Sequence, residues 1–131
     1  MIGLLVAAVG LSACQSAPKT SAPRGGSGKS ASLRTMEQVT IAAYKCWIAS
    51  DDADFRAYSM ANELNSFSGT PRFLLVPKNN YGGKPLLVVQ ARGNSCSVEI
   101  FAPLTGEALG GRINADIQRW RGGDNSCGAA A

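Results

Sequence analysis

The chain has 131 residues with 13 Lys and Arg, 9 Asp and Glu and no histidine, which gives a net charge of +4. A chain of this length builds a single hydrophobic core, for which its 45% of hydrophobic residues is sufficient. The lack of histidine removes the commonest general base and the commonest zinc ligand, so the sequence predicts neither a cofactor nor a metal site.

The first segment, residues 2–11, is an apolar run of Ile, Leu, Val, Ala and Gly. A helix that crosses a bilayer needs roughly twenty apolar residues, so this run is too short for a transmembrane span. A short apolar run followed by small residues is typical of a secretory signal peptide, which is removed from the mature protein. We therefore expect residues 1–13 to be a signal peptide.

The segment ends in Leu-Ser-Ala-Cys at residues 11–14. These four residues resemble the lipobox of bacterial lipoproteins. The resemblance implies that the Cys14 thiol receives a diacylglyceryl group and becomes the new N-terminus after cleavage. Each buried methylene contributes about 0.8 kcal/mol, so two or more acyl chains, such as palmitate, hold a protein firmly at a membrane. Gln15 follows the cysteine instead of Asp, which in that family favours the outer membrane, facing the periplasm.

Residues 14–34 are predicted to be a flexible linker behind the anchor, because Ser, Ala, Gly and Pro dominate them. A flexible chain of this length spans about 25 Å. The linker contains four charged residues, all basic: Lys19, Arg24, Lys29 and Arg34. They account for the net charge of +4, so the rest of the chain is neutral. Next to a membrane, such charges favour anionic lipid or cell-wall polymer as a partner, or simply keep the linker soluble.

The stretch PRGGSGKS at residues 23–30 resembles a phosphate-binding loop only superficially. That motif needs Gly six positions before the Lys, where this chain has Pro23. No buried strand precedes the stretch in the sequence pattern. Because the basic residues are confined to the linker, we expect neither nucleotide nor nucleic acid as a partner.

Residues 35–131 are predicted to form the globular domain, beginning with a helix. Thr35 and Gln38 fit a capping box, and Val39, Ala43 and Cys46 recur at helical spacing, with Trp47 on the flank. The sequence SDDAD, residues 50–54, is predicted to end the helix. Its aspartates lack the Gly and the closing Glu of a calcium loop, so a solvated helix end is the favoured interpretation.

Four extended segments and a second helix follow. The strands are predicted at residues 55–64, 72–77, 85–91 and 97–103, with short turns that favour antiparallel neighbours. The closing helix is predicted at residues 110–121, where one apolar stripe consists of Leu109, Ile113, Ile117 and Trp120. The order predicts an α+β fold: a helix, a four-stranded mainly antiparallel sheet, and a helix. If both helices cover one face, which we slightly favour, then Leu74, Val76, Leu87 or Val89 is left partly bare as a docking surface.

Three cysteines remain once Cys14 is lipidated, and exported chains meet oxidising conditions. We expect a disulfide between Cys46 and Cys127, with Cys46 to Cys96 as the alternative, and one thiol left over. The sequence contains no Cys-x-x-Cys, so a redox or metal role for the spare thiol has no support.

The best candidates for recognition lie in two loops. Phe67 and Arg72 belong to ELNSFSGTPR, and Tyr81 belongs to NNYGGK; each aromatic ring either grips a ligand or anchors its own loop. Glu63 and Glu99 form a conceivable acid pair for an envelope hydrolase, although both fit the outward side of their strands. We expect a lipid-anchored, non-catalytic accessory of the cell envelope that binds another envelope protein or cell-wall polymer such as peptidoglycan. A small hydrolase or a tethered enzyme inhibitor is the alternative.

Overall fold

A computed structural model describes residues 29–65, 69–102 and 106–128. Within them a helical segment leads into four strands, and a second helix closes the chain, so the predicted α+β class is confirmed. The signal peptide, Cys14, most of the linker and Phe67 lie outside the described residues. Among the described helices, none is long and apolar enough to span a membrane. The elements are α1 (Ala31–Ala43), a π-helical segment (Tyr44–Ala49), a 3-10 turn (Ala53–Phe55), β1 (Tyr58–Glu63), β2 (Arg72–Pro77), β3 (Leu87–Ala91), β4 (Val98–Phe101) and α2 (Glu107–Arg121).

Helix α1 begins earlier than predicted. Ser30 is the N-cap, and its hydroxyl accepts a hydrogen bond from the Leu33 amide at 3.1 Å. The predicted cap, Thr35, lies inside the helix. The first turn is also held by tertiary contacts with the β3–β4 turn, because Ala31 N donates to Asn94 Oδ1 at 3.0 Å and the Ser32 hydroxyl donates to Gly93 O. These contacts add tertiary support to the local cap that Ser30 provides.

The sheet is a simple meander with the order β1-β2-β3-β4, and every neighbouring pair is antiparallel. Strand β2 has its predicted bounds, whereas β1 and β3 are shorter than predicted. Helix α2 begins at Glu107, before the predicted start, with Gly106 as its N-cap. Burial of the predicted stripe is confirmed: Ile113, Ile117 and Trp120 are fully buried, and Leu109 packs at the margin of the core.

Both helices cover the same face of the sheet, which we call the inner face. A single core cluster joins α1, α2 and the sheet residues Phe73, Leu75, Leu87, Val89 and Ala91. Trp47 lies at its centre, with its ring centroid 4.5 Å from that of Phe55 and 5.0 Å from that of Trp120. The favoured one-face arrangement is therefore confirmed.

The disulfide prediction is confirmed for one pair. Cys46, in the π-helical segment, bonds to Cys127 in the tail with their Cα atoms 5.2 Å apart. The expectation of a spare thiol is wrong for the described residues, since none of their cysteines is free. Cys96 is disulfide-bonded as well.

Candidate functional site

The face of the sheet opposite the helices, which we call the outer face, carries the most unusual surface of the domain. The strand register places Ala61 opposite Leu74, Leu74 opposite Val88, and Val88 opposite Phe101. Directly paired residues of antiparallel strands point to the same side of a sheet. These four residues therefore form one apolar row that crosses all four strands.

The apolar row is only partly shielded from solvent. Leu74 and Val88 are half-buried, and Phe101 is 49% exposed. None of the four belongs to the core cluster or packs at its margin, so no described helix is packed on them. A row of apolar side chains left open in a small domain is typical of a binding surface.

A polar row runs beside the apolar one. The register aligns Glu63, Arg72, Gln90 and Glu99 across the four strands. Arg72 Nε lies 2.6 Å from Glu63 Oε2, and Arg92 Nε lies 3.1 Å from Glu99 Oε1. Each carboxylate is thereby neutralised. Glu63, Arg72 and Glu99 form a polar rim of the kind that borders protein interfaces, whereas Gln90 between them is buried.

The predicted recognition residues are not gathered in one place. Arg72 lies on the outer face, in the polar rim, with its guanidinium committed to Glu63. Tyr81 lies in the β2–β3 loop, is 62% exposed, and its hydroxyl donates to Met60 O at 3.4 Å. The ring of Tyr81 is thus exposed while its hydroxyl fastens it to β1, and its role in binding stays a prediction. The role of Phe67 stays a prediction.

The two carboxylates suggested for hydrolysis are far apart. Glu63 lies on β1 and Glu99 on β4, the two edge strands of the sheet. With a strand spacing of about 4.8 Å, their backbones are separated by about 14 Å. Glycoside hydrolysis by two acids needs carboxyl groups within roughly 5 to 9.5 Å of each other. Together with their arginine partners, this distance removes the pair as acid and base.

A second polar cluster lies between α2 and the segment that follows α1. Arg112 Nη2 is 2.6 Å from Asp52 Oδ2, and its Nη1 is 2.9 Å from Asp54 Oδ2. The hydrogen bond from Arg112 holds the pKa of Asp52 below its ordinary value, and the same contact raises the pKa of Arg112. Asp52 and Asp54 therefore serve as arginine partners, and Asp54 with 58% of its side chain exposed fits the predicted solvated helix end.

Asp116 is the buried member of this cluster, with its Oδ2 3.6 Å from Arg112 Nε. It is only 6% exposed and accepts a hydrogen bond from Trp47 Nε1 at 2.9 Å and another from Arg119 Nη2 at 2.8 Å. Asp116 is thus buried beside the apolar stripe of α2, although it is not one of its apolar residues. It follows Ile113 by three residues and precedes Trp120 by four, and this spacing is the signal that indicates a shared helix face.

The cluster borders a cleft of about 640 Å³ beside the disulfide. Its charged groups are engaged with one another, so the arrangement stabilises the packing of α2 and leaves no free acid or base for chemistry. No group of three metal-ligating side chains occurs in residues 29–65, 69–102 and 106–128. The lining residues are Cys46, Ser50, Asp52, Asp54, Arg112, Ala115, Asp116, Arg119, Cys127 and Gly128.

The residues of the apolar row are only partly predicted by the sequence. Of the four residues named as partly bare, Leu74 is confirmed, whereas Leu87 and Val89 are fully buried on the inner face. Val76 points outward by its register but is only 5% exposed. Val88 was missed because β3 is apolar at nearly every position, so its pattern does not identify a face. Phe101, at the end of β4, was missed as well.

Comparison with known proteins gives no match: no family model, curated protein or solved structure is similar to this chain.

Proposed function

We propose that this protein is a lipid-anchored, non-catalytic accessory of the bacterial envelope that binds another envelope protein through the outer face of its sheet. The observation that carries the binding function is the apolar row, which crosses four strands and lies outside the core cluster. The lipobox at residues 11–14 supports the anchor, and Gln15 favours the outer membrane, facing the periplasm.

The chemistry of the surface fits a protein partner. The row offers aliphatic side chains and one aromatic ring, Phe101, beside a rim whose charges are already paired. Binding would remove Leu74, Val88 and Phe101 from water without leaving a buried charge unpaired. A small apolar centre with a polar border matches the anatomy of transient protein interfaces.

The surface is tested by photo-crosslinking of the full chain in cells. A photoreactive amino acid is introduced at Val88 and, as a control, at Ile41, which is 70% exposed on α1. We expect a discrete protein adduct from position 88 and none from position 41. The adduct at 88 is expected to disappear when Phe101→Glu is added and to persist when Ile41→Glu is added. Equal adducts from both positions, or none from position 88, would reject this surface.

The anchor depends on the chemical state of the Cys14 sulfur. Cys46 and Cys127 are bonded to each other, and the only other cysteines in the sequence are Cys14 and Cys96. A sulfur that carries a diacylglyceryl group cannot also form a disulfide. Lipidation of Cys14 and a disulfide between Cys14 and Cys96 are therefore mutually exclusive, and one measurement decides between them.

That measurement is mass spectrometry of tryptic peptides prepared without reduction from cell envelopes. We expect residues 14–19 as an acylated peptide whose N-terminus is Cys14. A Cys14→Ser variant provides the control, because it is expected to lose acylation and to leave the membrane fraction. A peptide of residues 14–19 linked by disulfide to residues 93–112 would refute the anchor, while leaving the crosslinking result intact.

A further inference from the structure

The β2–β3 loop, residues 78–86, presents an exposed aromatic ring on an ordered turn; we call it the Tyr81 loop. Asn80 N donates to Pro77 O at 3.2 Å, and Gly83 N donates to Asn80 O at 2.9 Å. A Cβ atom at Gly83 would lie 2.7 Å from Asn80 Nδ2, so the turn closes tightly on this glycine. The Tyr81 hydroxyl then donates to Met60 O of strand β1. The ring is thus held in place while 62% of the residue remains exposed.

Two lysines lie on either side of that ring. Lys78 and Lys84 are both exposed, and residues 77–86 contain no acidic residue. Neither lysine is ion-paired within the described part of the chain. Five arginines there, in contrast, each contact a carboxylate: Arg56, Arg72, Arg92, Arg112 and Arg119. The Tyr81 loop therefore has positive charge available for an external anion.

The loop also lies at the end of the sheet opposite the point where the linker enters. Helix α1 begins beside the β3–β4 turn, through the contacts of Ala31 with Asn94 and of Ser32 with Gly93. The Tyr81 loop connects the other ends of β2 and β3, one strand length away, or about 17 to 20 Å. On a tethered domain, the loop is the end farther from the anchor.

We infer that the Tyr81 loop binds a carboxylate-bearing glycan of the cell wall. A tyrosine ring packs on the apolar face of a sugar, the lysines bind carboxylates, and the exposed side chains of Asn79 and Asn80 hydrogen-bond hydroxyl groups. The site is distinct from the outer-face row and adds a second ligand to the proposed function. It would hold the tethered domain against the wall while the outer face engages its protein partner.

The test is co-sedimentation of the purified full chain, in detergent, with isolated peptidoglycan sacculi. We expect Tyr81→Ala to weaken binding about tenfold, as the loss of a central aromatic contact does. The double variant Lys78→Ser with Lys84→Ser is expected to weaken binding by a similar factor and to reduce its dependence on salt. Tyr81→Phe keeps the ring and is expected to bind like the wild type, which separates ring contact from the hydrogen bond to Met60.

Matched controls come from the helices. Tyr44 is 53% exposed on the first helical segment and Arg121 is exposed at the end of α2, so Tyr44→Ala and Arg121→Gln remove one ring and one charge elsewhere. All variants keep the same basic linker, so its contribution cancels.

Equal weakening by the controls, or unchanged binding in the Tyr81 and lysine variants, would overturn the inference. Binding to phosphatidylglycerol vesicles instead of sacculi, lost in the same loop variants, would overturn the glycan assignment and assign the loop to lipid. Either result leaves the crosslinking test of the outer face unaffected.

Discussion

The two faces of the sheet are built from alternating residues of the same strands, yet they have opposite environments. On the inner face, Phe73, Leu75 and Val89 have no exposed surface. On the outer face, their neighbours Leu74 and Val88 are half-buried, and Phe101 is half exposed. Strands β2 and β3 are apolar on both sides, a pattern typical of strands that are covered on both faces of a sheet. Among the described residues the helices cover the inner face, and on the outer face Leu74, Val88 and Phe101 keep part of their surface in water.

The helix layer is held by covalent and hydrogen bonds in addition to its apolar packing. The disulfide joins the π-helical segment to the tail across 81 residues of sequence. The tail is held further because Ser126 O accepts hydrogen bonds from Arg119 Nε at 3.1 Å and Trp120 Nε1 at 2.8 Å. The disulfide and these hydrogen bonds therefore stabilise the helix layer and the inner face that it covers.

The largest expected effect is therefore removal of this disulfide. The double variant Cys46→Ser with Cys127→Ser is expected to lower the free energy of unfolding by up to about 4 to 5 kcal/mol, because the unfolded chain regains the entropy of a long closed loop. Urea denaturation followed by tryptophan fluorescence measures it, since Trp47 and Trp120 are both buried.

Ser126→Ala is the matched control in the tail, because it leaves the disulfide and the Ser126 carbonyl in place. Its expected cost is below about 0.5 kcal/mol. A loss below about 1 kcal/mol in the double cysteine variant would show that the hydrogen bonds of the tail, and not the disulfide, fasten the helix layer.

The comparison of the faces is sharpened by two adjacent leucines. Leu75→Ala on the inner face is expected to cost about 3 kcal/mol, the sum of lost burial and a cavity. Leu74→Ala on the outer face is expected to cost about 1 kcal/mol or less, because its side chain is only half-buried and no cavity forms. Urea midpoints of the two variants measure the difference. Equal losses of stability in the two variants would mean that the outer face is covered in the isolated protein. That result would contradict the proposed docking surface.

Much of the fold is predictable from sequence because its determinants are local. Turn residues separate the four strands, and the spacing of the apolar stripe in α2 is enough to identify the buried side of that helix. The start of α1 is not local, since Ser32 and Ala31 are fixed by the β3–β4 turn, more than sixty residues away. The sequence pattern around Thr35 offers a plausible cap, and tertiary contacts override it.

The candidate site is harder to predict for a related reason. The apolar row depends on the pairing register of four strands, and a shift of one residue would turn Leu74 and Val88 toward the helices. Composition does not determine that register. Similarly, Arg72 is an evident polar residue in the sequence, but only the register shows that Glu63 lies beside it and neutralises its charge.

The smallest expected change in the free energy of unfolding comes from breaking single ion pairs, one in the helix layer and one on the outer face. Asp52 accepts hydrogen bonds from Arg112, which hold its pKa below the ordinary value of 3.8. A carboxyl group whose pKa is lowered by folding stabilises the protein above its unfolded pKa, and this contribution is lost as the pH falls through the folded value. Asp52→Asn is therefore expected to cost about 1 kcal/mol at pH 7, and the difference from the wild type is expected to shrink as the pH falls below the unfolded pKa and through the folded pKa of Asp52. Urea midpoints at pH 7, 4 and 2 test this.

Glu63→Gln is the matched variant on the outer face, where Arg72 and Glu63 side chains are 37% and 41% exposed. Ion pairs this open to solvent are worth between zero and about 1 kcal/mol, and salt screens them. We expect its cost at pH 7 to be smaller than that of Asp52→Asn and to fall further in high salt. If Glu63→Gln lowers the free energy of unfolding more than Asp52→Asn does, the rim of the outer face is itself a stabilising element. The contrast drawn between the two faces is then wrong.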